Sequence, residues 1–266
     1  MKIIMKYSLL FIGLIFIATS VQAKVHSEVV NYQIDGQAFQ GYLSYDDEIT
    51  GKRPGILVVH EWWGHNAYAR KRADMLAKLG YSAFALDMYG AGKLAAHPDD
   101  ASKFMQAVLA DIKVAEKRFN VAMRLIQNHP TVDATKIAAI GYCFGGGTVL
   151  HMARQGSELA GVVSFHGSLA STLKVKPGQI KSKILVLNGA DDPFSPVEQV
   201  AAFKQEMNSA GADFEFINYP GVKHSFTNRE ANAFGEKFNM PLVYDAEADK
   251  DSWQRMKLFF IKIFKQ

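Results

Sequence analysis

The most constraining feature of this chain is one cysteine set among glycines. Lys136 to Ile140 reads as a strand, Gly141-Tyr142-Cys143-Phe144-Gly145-Gly146 follows, and Phe144 to Arg154 reads as a helix. A turn this sharp between strand and helix forces its tip into a strained conformation and leaves no room for side chains two residues to either side. Gly141 and Gly145 meet that demand. The turn lifts the Cys143 sulfur above a sheet and aims the Phe144 N–H at the place where an oxyanion would form. The plainer reading of the same residues is a buried structural cysteine in a glycine-rich turn.

Around this turn, strand and helix patterns alternate. Val29–Tyr32 and Phe39–Ser44 predict an edge hairpin turning at Asp35-Gly36. Ile56–Val59, Tyr81–Leu86, Ala160–Phe165, Ile184–Leu187 and Phe214–Tyr219 read as further strands. Helices are expected over Asn66–Leu79, ended by Gly80, over Asp99–Gln127 with one break, over Val197–Asn208 and over Ser252–Phe264. Such alternation predicts an α/β fold, a mostly parallel sheet with helices on both faces, in one domain over residues 24–266. Ligands of such sheets bind beyond the carboxyl ends of the strands.

The first 23 residues carry a different signal. Lys2 and Lys6 precede an apolar run from Leu9 to Ala18, and Val21-Gln22-Ala23 supplies small residues for cleavage. This pattern predicts a signal peptide cut after Ala23, and a periplasmic or secreted product. The run is about half the ~20 residues of a membrane span, so no stable membrane anchor is expected after cleavage. The net charge is only +4 and no long run of like charge occurs, so nucleic acid is not an expected partner. With a single cysteine and no paired Cys/His spacing, neither a disulfide nor a metal site is expected, and no phosphate-binding glycine loop points to a cofactor.

An acid and a base are sought after later strands, in the order nucleophile, acid, base. Ile184–Leu187 leads into Asn188-Gly189-Ala190-Asp191-Asp192-Pro193. Asp192 fits the acid best, with Asp191 the competitor as turn or cap residue. Phe214–Tyr219 leads into Pro220-Gly221-Val222-Lys223-His224, which makes His224 the expected base. His166, at a strand end, is the rival base. His60 and His65 are read as satisfied polar groups at the sheet edge, His151 as packed or capping, and His26, His97 and His129 as solvated.

With these pieces in this order, the mature chain resembles the dienelactone hydrolase family of α/β-hydrolases. The resemblance rests on Val58-Val59-His60-Glu61-Trp62-Trp63-Gly64, Gly141-Tyr142-Cys143-Phe144-Gly145-Gly146, Gly189-Ala190-Asp191-Asp192-Pro193 and His224-Ser225-Phe226. It implies a Cys143–His224–Asp192 triad, a carboxylate at Glu61 that holds the resting thiol, and a second oxyanion donor at the Trp62 N–H beside that of Phe144. From the residues alone, a glutamate at a strand end beside two tryptophans is a candidate for a raised pKa. The family's best-studied members grip a substrate carboxylate with two arginines. Here those places hold Gly90–Lys93 and Asn228, with Lys93 and Arg229 nearby, so Lys93, His166, Asn228 and Arg229 are only weak candidates for substrate contact. The expected function is hydrolysis of a small-molecule ester, lactone or thioester, of carboxymethylenebutenolidase type. The competing class is a non-catalytic binder or thiol redox sensor on the same scaffold.

Overall fold

Two residues that tolerate positive φ start the fold. β1 (Val25–Ile34) and β2 (Gln37–Asp46) form an antiparallel hairpin whose turn residues, Asp35 and Gly36, sit at φ 50° and 76°. A two-residue turn of that hand matches the right-handed twist of the strands it joins. The computed structural model describes residues 24–265, so the expected signal peptide, residues 1–23, lies outside the described residues.

From there the alternation follows the expected order. β3 (Arg53–Val59) leads to α1 (Ala67–Ala77), which Asn66 caps by accepting from the N–H groups of Tyr68 and Ala69. β4 (Ser82–Leu86) leads to α2 (Pro98–Leu109) and α3 (Ile112–Gln127). The expected break between these two helices falls at Asp111, whose side chain accepts from the Lys113 N–H to start the second. β5 (Val132–Tyr142), α4 (Phe144–Arg154), β6 (Gly161–Phe165), β7 (Lys183–Gly189), α5 (Val197–Ala210) and β8 (Phe214–Tyr219) complete the sheet. α6 (Ala231–Phe238) was not expected. It is short and has Gly235 in its interior, a poor helix former that is needed because a Cβ there would stand 2.5 Å from the Leu242 carbonyl oxygen. α7 (Ala246–Phe264) begins one and a half turns before the expected start, at the cap of Asp245 onto the Ala248 N–H.

The eight strands lie in the order β1-β2-β4-β3-β5-β6-β7-β8. The hairpin is antiparallel to β4, and the strands from β4 to β8 are mutually parallel. Strand alternation decides which helices cover which face. Ile56 and Val58 point to the side of α1 and α7, where Leu76, Met256 and Phe260 meet them. Leu57 and Val59 point to the side of α3, α4 and α5, with Phe119, Val149 and Phe203. The chain leaves β3 for β4 on one side and returns to β5 on the other. A crevice therefore opens beyond the carboxyl ends of β3 and β5, the place where sheets of this kind bind ligands.

Candidate active site

Cys143 stands at that crevice. Its backbone is at φ 53°, ψ −116°, outside the regions an ordinary side chain prefers, and it immediately precedes α4. The glycines around it are sterically required. A Cβ on Gly141 would lie 2.0 Å from the Gly145 carbonyl oxygen, one on Gly145 2.3 Å from that of Val59, and one on Gly146 2.7 Å from Gly167 Cα. The first turn of α4 is thus pressed against the ends of β3 and β6 with no side chain between. The Cys143 N–H is held by the Phe165 carbonyl at 3.0 Å and by His166 Nδ1 at 3.2 Å. Phe144 is the first helical residue, so its N–H is one of the donors that a helix start leaves without a partner in the helix.

The loops after β7 and β8 bring the expected partners together. His224 Nδ1 donates to Asp192 Oδ2 at 2.7 Å, and Asp192 Oδ1 accepts from the Phe194 N–H at 2.8 Å. With Nδ1 committed, Nε2 is the nitrogen left to interact with the Cys143 sulfur, which acts electrostatically on the ring. Burial opposes the charged ring, but the Cys143 sulfur and the Asp192 carboxylate outweigh it and push the His224 pKa up to about 10. Asp191, the competitor, is exposed and accepts from the Gly221 N–H at 3.3 Å, as a turn residue does.

His166 is fully buried behind this pair. Its Nδ1 accepts from the Cys143 N–H, so Nε2 carries the proton and donates to Thr227 Oγ1 at 2.7 Å. Burial, and then the neighbouring His224 and Arg72, hold its pKa well below the usual value. It is therefore not the rival base; it ties the cysteine turn to the loop that carries His224. Thr227 is also bonded to Tyr68 Oη at 2.6 Å, and its carbonyl accepts from Arg72 Nη2 at 2.7 Å. Arg72 is buried against the rings of Tyr68, Tyr142 and Trp253 and paired with Asp249 at 2.7 Å. Cys143, His166 and Ser225, all in this cluster, are non-glycine residues at positive φ.

Beyond β3, His60 bridges two strand ends. Its ring meets the Glu61 carbonyl through Nδ1 at 2.5 Å and accepts the Met88 N–H on Nε2 at 3.1 Å. The Glu61–Gly64 turn is closed by the Gly64 N–H at 3.2 Å from the Glu61 carbonyl, which leaves the Trp62 N–H outside the turn's own bond. The Glu61 carboxyl is buried and accepts from Asn228 Nδ2 at 2.7 Å and Ser225 Oγ at 3.4 Å. Burial raises its pKa against the pull of Asn228, His224, Ser225 and Arg72. None of its hydrogen bonds among the described residues reaches Cys143.

Trp62, Cys143, Phe144 and His224 open onto one cavity of about 880 Å³. None of the four weak candidates lines it. Lys93 and Arg229 are exposed, the latter over the Tyr244 ring at 5.9 Å, while His166 and Asn228 are buried beneath the site. The residues that do build the wall, among them Met105, Leu109, Ala170 and Met240, escaped sequence reasoning, because an apolar residue facing a cavity has the same spacing as one facing the core. Among the described residues, no cluster of His, Cys, Asp and Glu is arranged to hold a metal ion. The arrangement brings a cysteine, a histidine and a carboxylate to one end of the cavity. The His224 proton also has a thermodynamic consequence. The folded chain binds it up to a pH of about 10, whereas an ordinary histidine releases it near 6.5. The stabilisation is complete below 6.5 and is lost as pH rises through the folded value. The melting temperature should therefore fall more steeply between those limits for the wild type than for His224→Gln; parallel curves would refute the raised value.

The model of the dienelactone hydrolase family matches residues 39–264 of the chain. Protein usf of Aquifex pyrophilus is 27% identical over 240 residues, covering 88% of this chain and 97% of the relative. A relative from Aquifex aeolicus that bears the name carboxymethylenebutenolidase is 25% identical over 238 residues, with the same coverage of 88% and 97%. The crystal structure of a dienelactone hydrolase-like promiscuous phosphotriesterase from metagenomic libraries superposes with a TM-score of 0.82 at 32% identity, covering 90% of this chain and 98% of that one. The family model spans most of the chain, a solved structure that bears the family's name shares its fold, and the chain belongs to the dienelactone hydrolase family of hydrolases.

Proposed function

We propose that this chain hydrolyses neutral carboxylic esters, lactones or thioesters, with Cys143 as nucleophile, His224 as general base and acid, and Asp192 as the group that orients the imidazole. The observation that carries this reading is the unbroken line from Asp192 through His224 to the sulfur of a strained cysteine, open to a cavity. In the first half-reaction the sulfur bonds to the carbonyl carbon and His224 keeps the thiol proton. The N–H groups of Phe144 and Trp62 take the negative charge that develops on oxygen. The tetrahedral species then breaks its bond to the alcohol oxygen, which leaves with the proton from His224. In the second half-reaction His224 draws a proton from water, whose oxygen attacks the thioester carbon. The acid is released and the thiol restored. Cys143→Ala should lower kcat/KM by more than ~10³-fold with little change in melting temperature. An alanine variant that keeps most of the rate would end the reading.

The choice of a neutral substrate comes from the charges on the wall. The one Arg or Lys lining the cavity, Arg154, is committed to Glu206 through Nε at 2.9 Å and Nη2 at 2.7 Å. Among the described residues, no free Arg or Lys there can grip a carboxylate, and the resemblance puts Gly90–Lys93 and Asn228 where the family's two arginines would stand. We therefore expect kcat/KM for an anionic dienelactone to exceed that for a neutral ester of similar size by less than ~100-fold, about 2.7 kcal/mol of transition-state binding. A larger preference would mean that Lys93 or Arg229 swings in to bind the anion.

The Lys2 and Lys6 region, the apolar run and Ala23 support an exported form of this hydrolase. Amino-terminal sequencing of the protein recovered from its native compartment should begin at Lys24. A chain still beginning at Met1 would place it elsewhere.

A further inference from the structure

The cavity is longer than the reaction needs. Beyond Cys143 it follows one face of α4, where Gly147, Thr148, His151 and Gln155 recur at helical spacing along the wall. Met105 and Leu109 of α2 and Ile112 of α3 close one side, and the segment from Ser168 to Leu173 the other. From Phe144 to Gln155 the axis of α4 runs about 16 Å at ~1.5 Å per residue, room for an extended chain of roughly ten to twelve carbons.

Two observations say what lies in this groove. First, Leu109, a large apolar side chain on its wall, is 44% exposed, and Met105, Ile112 and Leu173, also on the wall, are only partly buried. A concave surface that leaves such groups in water is built for an apolar occupant. Second, the charged and amide side chains at the far end are engaged with the protein. His151 Nε2 and Gln155 Nε2 both meet Glu116, at 2.9 and 2.7 Å, and Arg154 is held by Glu206 and by the Leu169 carbonyl. Among the described residues, the basic groups of this wall are thus already paired, and none is free to recruit an anionic head group.

Position relative to the base decides which half of the ester enters. The departing alcohol must lie against His224, which protonates it. His224 packs on Phe194 at 4.9 Å and pairs with Leu242, on the loops after β7 and β8, while α4 runs away from Cys143. The α4 side is left to the acyl half. We propose that the groove along α4 is an acyl-chain site, and that the enzyme selects neutral esters or thioesters of medium-length straight-chain fatty acids. This rests on the hydrolase reading above and deepens it.

The test is a series of p-nitrophenyl esters from acetate to dodecanoate, set beside a series of alkyl acetates. Each methylene buried is worth ~0.8 kcal/mol, so kcat/KM should rise by up to about fourfold per carbon in the acyl series until the groove is full. The alkyl acetate series should stay nearly flat. Ala170→Trp, which sets an indole in the groove, should cut the decanoate-to-acetate ratio of kcat/KM at least tenfold; Thr172→Trp serves if that variant does not fold. A flat acyl series, an unchanged ratio in the variant, or a rise confined to the alkyl acetates would overturn the proposal. Binding to the Cys143→Ala protein separates the groove from the chemistry. Decanamide should bind at least tenfold more tightly than acetamide there, and equal binding would overturn the groove. If the wild type cleaves no ester of any length while decanamide still binds tightly, the hydrolase reading fails and the chain site stands.

Discussion

A Cβ on Gly145 would stand 2.3 Å from the Val59 carbonyl oxygen, and one on Gly141 2.0 Å from the Gly145 carbonyl oxygen. Backbone packed this closely admits no substitution without moving a strand end or a helix start. It joins β3, β5 and α4 at one point, and the rest of the site hangs from that point. Because α4 begins there, the Phe144 N–H is free of helical partners. Because β3 ends there, Trp62 shares a cavity wall with Cys143. The positive φ of Cys143 is the local cost, sustained by two acceptors on its N–H and by a sheet whose parallel strands flank it on both sides.

A second set of contacts positions His224. His224 lies on a loop, and a loop alone holds a side chain poorly. Here the residues after it are anchored by Thr227, which is bonded at once to Tyr68, His166 and Arg72. His166 closes the circuit, since its other nitrogen holds the Cys143 N–H. One neutral imidazole thus sets the distance between the Cys143 backbone and the His224 loop. Burial, and then His224 and Arg72, disfavour a charged ring, which leaves Nδ1 free to accept the Cys143 N–H. Arg72, caged by three aromatic rings and Asp249, supplies a rigid post behind Thr227.

Glu61 illustrates how burial commits a polar group. The Asn228 amide, buried beneath the cavity, donates to the Glu61 carboxyl. The carboxyl is buried, held from two sides, and has a raised pKa.

The sheet, its helices other than α6, the cysteine turn and the Asp192–His224 order were legible in the amino-acid sequence. Each is written locally: Asp35-Gly36 in a turn that needs positive φ, Asn66 and Asp111 at helix starts, Gly141 and Gly145 where no side chain fits. α6 was not legible, because Gly235 argues against a helix until the Leu242 carbonyl is seen pressing on it. Nor could sequence choose between Asp191 and Asp192 except by spacing; the 2.7 Å bond to His224 depends on two loops meeting 32 residues apart. His166 looked like a spare base, and only burial and its partners on both nitrogens make it a brace. The groove along α4 was invisible for a deeper reason. Met105, Leu109, Ile112 and Ala170 obey the same apolar pattern whether they face a packed core or an open cavity. Local sterics and hydrophobic period decide where the backbone goes, and the space left between elements is decided only when all of them are packed.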